Sequence, residues 1–151
     1  MNIPFHRPNF NRSTIIELEK VIESGWVTTG KKTLLFEERL CEYFNSKHVI
    51  AVNSCTAALH LGAVISGLSK DNFFIVPSYT FVSSIEIGEY IKAIPLIVDI
   101  DEKTMNLDLN QVEHLLKKYG NKIKTIIPVH FAGNPVNMNK LREISNDHGC
   151  F

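Results

Sequence analysis

The residues best suited to chemistry fall in two short segments where an apolar run gives way to small and hydroxylated side chains. In the first, Val52 and Asn53 lead into Ser54, Cys55 and Thr56, followed by Ala57, Ala58 and Leu59. A turn of this kind entering a helix offers backbone N–H groups, together with the Ser54 and Thr56 hydroxyls, to a phosphate dianion. The commoner role of such residues is simply to cap the helix, and both roles stand at this point. Cys55 has no evident base partner and reads as a small turn filler rather than a nucleophile. In the second segment, Pro77, Ser78, Tyr79, Thr80 and Phe81 follow an apolar run. An aromatic side chain there could lie flat on a heteroaromatic ring, or it could pack under its own loop.

Other candidates are weaker. Gly25, Trp26, Val27, Thr28, Thr29, Gly30, Lys31 and Lys32 nearly spell a phosphate-cradling P-loop. A P-loop follows a strand and carries Ser or Thr after its lysine; here a helical pattern precedes it and Lys32 takes the hydroxyl position. No GxGxxG dinucleotide fingerprint occurs. The histidines at 6, 48, 60, 114, 130 and 148 show neither helical i, i+4 pairing nor a neighbouring cysteine pair, so no metal site is expected. Asp99 and Asp101 read as a turn acceptor and a solvated acid rather than an acid–base pair.

The elements that must position these residues alternate in type. Helices are expected near 14–24, 33–44, 56–66, 83–91, 109–119 and 137–148, and strands at 48–52, 73–76, 96–99 and 125–129. Thr14 with Glu17, and Asp108 with Gln111, are spaced as capping boxes. Ile15, Leu18 and Ile22 mark one apolar face, and Phe36, Leu40, Tyr43 and Phe44 another. Continuous apolar strands alternating with helices predict an α/β fold, a mostly parallel sheet with helices on both faces. In such sheets ligands bind beyond the carboxyl ends of the strands, which singles out the loops at 53–56, 77–81, 99–106 and 130–135. Gly149 closes a helix, and Cys150 and Phe151 read as the opening of a further strand, the mark of a chain cut short.

Bulk properties narrow the class. The 151 residues carry 16 basic and 16 acidic side chains, with no long run of either sign, which argues against a nucleic-acid or membrane-surface footprint. The N-terminal stretch lacks the apolar core of a signal peptide, and no apolar run reaches the length of a membrane span. Three widely spaced cysteines, Cys41, Cys55 and Cys150, fit a reducing cytoplasm.

Taken in order, the segments resemble the DegT/DnrJ/EryC1/StrS family of sugar aminotransferases, fold-type I enzymes that use pyridoxal 5'-phosphate (PLP). The resemblance runs from Pro4 to Gly149 and rests on five stretches: Ser24–Gly30, His48–His60, Ile75–Ser83, Ile97–Asp101 and Ile126–Pro135. It implies that the Ser54-Cys55-Thr56 turn holds the cofactor phosphate and that Phe81 stacks on the pyridine ring. It further implies that Trp26, Thr28 and Thr29 are substrate contacts. The family often has Gly or Ala where this chain has Cys55.

The activity implied is transfer of an amino group, from a donor such as glutamate, to a nucleotide-linked keto sugar for cell-surface polysaccharide or lipid A sugars. A homodimer is implied as well. The Schiff-base lysine and the aspartate that pairs with the pyridinium nitrogen would fall beyond Phe151. The chain then corresponds to the N-terminal portion of the cofactor-binding large domain, without the rest of that domain or a C-terminal small domain, and is expected to be inactive alone. A PLP-dependent deoxysugar dehydratase of the same family and a non-catalytic remnant are the alternatives.

Overall fold

The computed structural model describes residues 2–4 and 7–151; His6, one of the histidines weighed above, lies outside them. The chain divides into two compact units, Met1–Ala51 and Val52–Phe151.

The first unit holds two helices, α1 (Arg12–Glu23) and α2 (Lys31–Phe44). The expected Thr14 cap is corrected: Asn11 is the N-cap, and its side chain accepts from the Thr14 amide. Asparagine competes for that position as well as threonine does. Glu17 therefore turns outward and pairs with Lys20 and Lys32. Neither helix buries a residue, so the apolar faces read from the periodicity, Ile15, Leu18 and Ile22 on α1 and Phe36, Tyr43 and Phe44 on α2, are exposed. Asn45 ends α2 in the left-handed conformation that asparagine tolerates (φ 48°). The strand expected at 48–52 is absent. A strand is defined by a neighbour, and here the Ala51 amide donates instead to the Glu37 carboxylate at 2.8 Å.

The second unit is an α/β layer. Helix α3 (Cys55–Ile65) leads to β1 (Phe73–Pro77), α4 (Ser83–Ile91), β2 (Ile94–Val98), α5 (Leu109–Tyr119), β3 (Ile123–Ile126) and α6 (Met138–His148). The strands form a parallel sheet in the order β2-β1-β3, with Ile75 opposite Leu96 on one side and Ile126 on the other. Beyond β3, the Phe151 amide donates to Lys124 O at 2.9 Å and its carbonyl accepts from the Ile126 amide at 2.6 Å. That is the bonding pattern of a parallel ladder, and it matches the strand-like start read at Cys150 and Phe151.

Alternation along β1 divides the core. Phe74 and Val76 pack with Ala63, Leu68, Ile87, Ala93 and Ile127 under α3 and α4. Ile75 joins Val98, Val112, Leu116, Leu141 and Ile144 under α5 and α6. Both faces of the central strand are covered, which is why its sequence is apolar without a break. At Gly88 of α4, an added Cβ would lie 2.5 Å from Phe74 Cε1, so only glycine admits the buried ring so close.

Candidate functional site

The carboxyl edge of the parallel sheet is where the second unit gathers its polar loops. Helix α3 precedes β1 and its C-terminal end feeds the start of that strand, so its N-terminus returns to the opposite, carboxyl edge. Eleven residues of helix span about 16 Å, enough to cross the sheet. The loop after β1 opens on the same edge and leads into α4. Ser54, Cys55, Thr56 and Phe81 are thereby brought to one side of the fold by topology.

Ser54 is the N-cap of α3: its backbone is extended (φ −158°, ψ 156°) and its Oγ accepts from the Ala57 amide at 3.1 Å. The capping role weighed from the sequence is therefore real for Ser54. It leaves the first helical amides, those of Cys55 and Thr56, without an intrahelical acceptor, as every helix N-terminus must. Cys55 is exposed and Thr56 partly so. No hydrogen bond is found for the Thr56 hydroxyl among the described residues. Two backbone N–H groups, a hydroxyl and the positive end of an eleven-residue helix make a donor set whose chemistry suits a phosphate.

Phe81 is 75 % exposed and joins no aromatic pair among the described residues, whereas Tyr79 lies with its ring centroid 4.6 Å from that of Phe131. The two aromatics of this loop thus differ in degree: Tyr79, 47 % exposed, lays its ring against Phe131, and Phe81 faces out. Hydrogen bonds pin their loop, among them one from Ser78 Oγ to Asp99 Oδ1 at 3.4 Å. The Ser78 amide donates to Val98 O at 2.7 Å, Thr80 Oγ1 donates to Ser84 Oγ at 2.8 Å, and the Ser84 amide donates to Phe81 O at 3.0 Å.

The carboxylates follow the structural reading. Asp101 Oδ1 accepts from the amides of Thr104 and Lys103 and from the Thr104 hydroxyl, and those bonds, the Thr104 amide first, hold its carboxyl below the usual carboxylate range. Asp99 Oδ1 accepts from the Ile100 amide at 2.8 Å. Gln111 does not close a capping box; its Oε1 accepts from the Asp99 amide and its Nε2 donates to the Asp108 carboxylate.

Sequence reasoning missed Asn106, which is 4 % exposed. Its Nδ2 donates to Asn134 O and its Oδ1 accepts from the Phe131 amide, each at 3.1 Å. Nothing local in the sequence signals this, because the partners lie 25 and 28 residues on.

In the first unit, Trp26 Nε1 donates to Thr29 O at 2.9 Å, and Thr28 Oγ1 accepts from the Thr29 amide at 2.6 Å. Trp26 and Thr28 line a cavity of about 630 Å³ whose wall also includes Ser24, Leu34, Lys31 and Lys32; Thr29 turns its carbonyl to the indole instead. An added Cβ at Gly30 would lie 2.5 Å from Trp26 Cδ1 and Nε1, so the glycine is what lets the indole lie over the start of α2.

Residues 9–151 match the DegT/DnrJ/EryC1/StrS aminotransferase family. An uncharacterised protein of Methanocaldococcus jannaschii is 36% identical over 149 residues, 99% of this chain and 38% of that protein. A Streptococcus pneumoniae protein named for sugar aminotransferase activity, in its PLP form, superposes with a TM-score of 0.88 at 32% identity. That match covers 98% of this chain and 38% of the other. DesV of S. venezuelae gives a TM-score of 0.84 at 30% identity, over 91% of this chain and 36% of that one. The chain therefore spans well under half the length of these relatives, and over that span it belongs to the DegT/DnrJ/EryC1/StrS aminotransferase family, whose cofactor is PLP.

Proposed function

We propose that the chain forms the phosphate-holding and ring-stacking part of a PLP-dependent enzyme that transfers an amino group, with glutamate as donor, to a nucleotide-linked keto sugar. The products serve cell-surface polysaccharide or lipid A sugars, in the cytoplasm. The reading is carried by one juxtaposition: free helix-terminal donors at Cys55 and Thr56 on the same sheet edge as the outward-facing ring of Phe81.

The cofactor, when bound, supplies an electron sink for a carbanion next to the transferred nitrogen. The residues of this chain do the holding. The amides of Cys55 and Thr56 and the Thr56 hydroxyl donate to the phosphate, and the α3 dipole favours its charge. Ser54 Oγ is engaged as the cap and sets the first turn of the helix. Phe81 offers a flat apolar face to the pyridine ring, a contact worth about 0.5–1.5 kcal/mol beyond area burial. Trp26, Thr28 and Thr29 contact the sugar substrate. The Cys55 side chain adds a sulfur where relatives often have Gly or Ala, but phosphate recognition through its amide is independent of the side chain.

The Schiff-base lysine and the aspartate that pairs with the ring nitrogen are not assigned to any residue of 1–151. In this reading these residues occupy the N-terminal portion of the cofactor-binding large domain, they hold cofactor without turning over donor, and the complete enzyme is a homodimer.

Two measurements test this. Titration of the purified chain with PLP, followed by the cofactor's absorbance, is expected to show binding that Thr56→Ala weakens about tenfold, one hydrogen bond to a charged group. A chimera with residues 9–151 in place of the matching segment of the S. pneumoniae relative is expected to aminate a nucleotide-linked keto sugar from glutamate. A chimera that folds and binds PLP but transfers no amino group to such sugars would sink the proposal.

A further inference from the structure

Asn106 is a buried amide satisfied on both ends by a loop that lies far from it in sequence. Its acceptor takes the Phe131 amide and its donor reaches Asn134 O, each at 3.1 Å. Asn134 returns the contact, its Nδ2 donating to Thr104 O at 3.1 Å. The loop so held is an unfavourable one: Ala132, a non-glycine residue, sits at φ 49° and ψ 27°. Residues held in such conformations persist where surrounding contacts over-determine them, and they concentrate at functional sites. His130 closes the other end, its Nδ1 accepting from the Val136 amide at 3.1 Å. The product of this clamp is a fixed position for the Phe131 ring, and that ring carries Tyr79, whose centroid is 4.6 Å away. Tyr79 belongs to the same short loop as Phe81.

We infer that Asn106 is a positioning residue: by locking the 130–134 turn it sets Phe131, which braces Tyr79 and so fixes the ring of Phe81 for the cofactor. The assignment of Phe81 rests on the function proposed above; the mechanical link from Asn106 to its loop does not. Asparagine suits the task because it donates and accepts at once from one planar group. Aspartate has the same shape but would turn an acceptor toward Asn134 O.

The test compares Asn106→Ala, Asn106→Asp and Phe131→Leu with the unaltered chain by amide hydrogen exchange and by titration with PLP and, separately, inorganic phosphate. Exchange at Ser84, whose amide is bonded to Phe81 O, reports the aromatic loop without any cofactor. All three variants should speed it about tenfold or more. They should weaken PLP about fivefold and leave inorganic phosphate unchanged, since the α3 turn is untouched. Phe131→Leu keeps the Asn106 bonds and removes only the ring, so it tests the link should the Asn106 variants fold poorly.

Unchanged Ser84 exchange in Phe131→Leu overturns the inference. So does a parallel loss of PLP and phosphate binding that tracks the fall in Tm, which would make Asn106 a residue of the fold alone. An unaltered chain that binds phosphate but gains nothing from the pyridine ring would instead overturn the assignment of Phe81. Faster Ser84 exchange in the variants would then still support the link.

Discussion

The hydroxyls of Ser66 and Thr125 lie 2.6 Å apart and join the end of α3 to the buried face of β3. Ser66 Oγ also donates to Ala63 O at 2.7 Å, so its one proton is used and Thr125 is the donor of the pair. The consequences of removing each partner are unequal. Ser66→Ala leaves the hydroxyl of the buried Thr125 without an acceptor and should cost about 1–3 kcal/mol. Thr125→Val keeps the shape and strands no donor, and should cost about 1 kcal/mol or less. Chemical denaturation of the two variants checks the order, and the reverse order would refute the donor assignment.

Gly88 is expected to resist any side chain. A Cβ there meets Phe74 Cε1 at 2.5 Å, Cζ at 2.7 Å and Ala93 O at 3.3 Å, and Phe74 is fully buried. Alanine would gain about 1 kcal/mol of helix propensity and lose about 1–3 kcal/mol to overpacking, so Gly88→Ala should be destabilised by up to about 2 kcal/mol. Adding Phe74→Leu should recover part of that loss if the clash is the cause, and a double-mutant cycle measures the coupling.

The contrast between these sites and the loops shows what the sequence could reveal. Helix α4 falls on the predicted residues 83–91, and α5 on 109–119, because periodicity and punctuation act within a few residues. The same local logic placed Ser54 and Thr56 at the start of a helix and Phe81 in a loop past a strand end. It failed where two local solutions compete, as with Asn11 over Thr14 at the start of α1. It failed again at 48–52, whose apolar run lacks a strand partner, and for the apolar residues of α1 and α2, which lie exposed. Asn106 was invisible for a different reason: an asparagine in a polar stretch looks like any loop residue until a distant turn is folded against it.

Gly30→Ala should be read out by the chain's single tryptophan. The new methyl would overlap Trp26 Cδ1 and Nε1, displacing the indole and its bond to Thr29 O. The backbone at Gly30 is extended (φ −165°), so alanine meets no backbone strain there and the ring must be what moves. A shifted emission maximum with little change in stability is the expected result. An unchanged spectrum would mean the indole does not rest on Gly30 in solution.

Glu17 sets an acid limb on the stability of the α1–α2 unit. Hydrogen bonds from Lys20 and then Lys32 hold its carboxyl at about 2, against an ordinary 4.5. A value lowered by folding means the folded state holds the charge more firmly than the unfolded one. The stabilisation is therefore complete above 4.5 and is lost as pH falls toward about 2. Because the group is exposed, the effect is small and screened by salt. Tryptophan emission followed from neutral to acid pH should show a loss between those values that Glu17→Gln removes.

The three thiols should react in an order set by exposure and charge. Cys55 is exposed, Cys41 partly covered, and Cys150 buried, with burial pushing its thiol above the usual range. The thiolate is the reactive form, so Cys55 should be modified first and Cys150 last by a thiol-specific reagent at neutral pH. Cys55 is also the first residue of α3, inside the turn proposed to hold the cofactor phosphate. A ligand seated on its amide would crowd the sulfur, so PLP and inorganic phosphate should each slow Cys55 selectively and leave the rate at Cys41 unchanged. Mass spectrometry of the labelled protein distinguishes the sites. Equal protection at all three cysteines would report general stabilisation, and no protection at Cys55 under saturating phosphate would place the anion elsewhere.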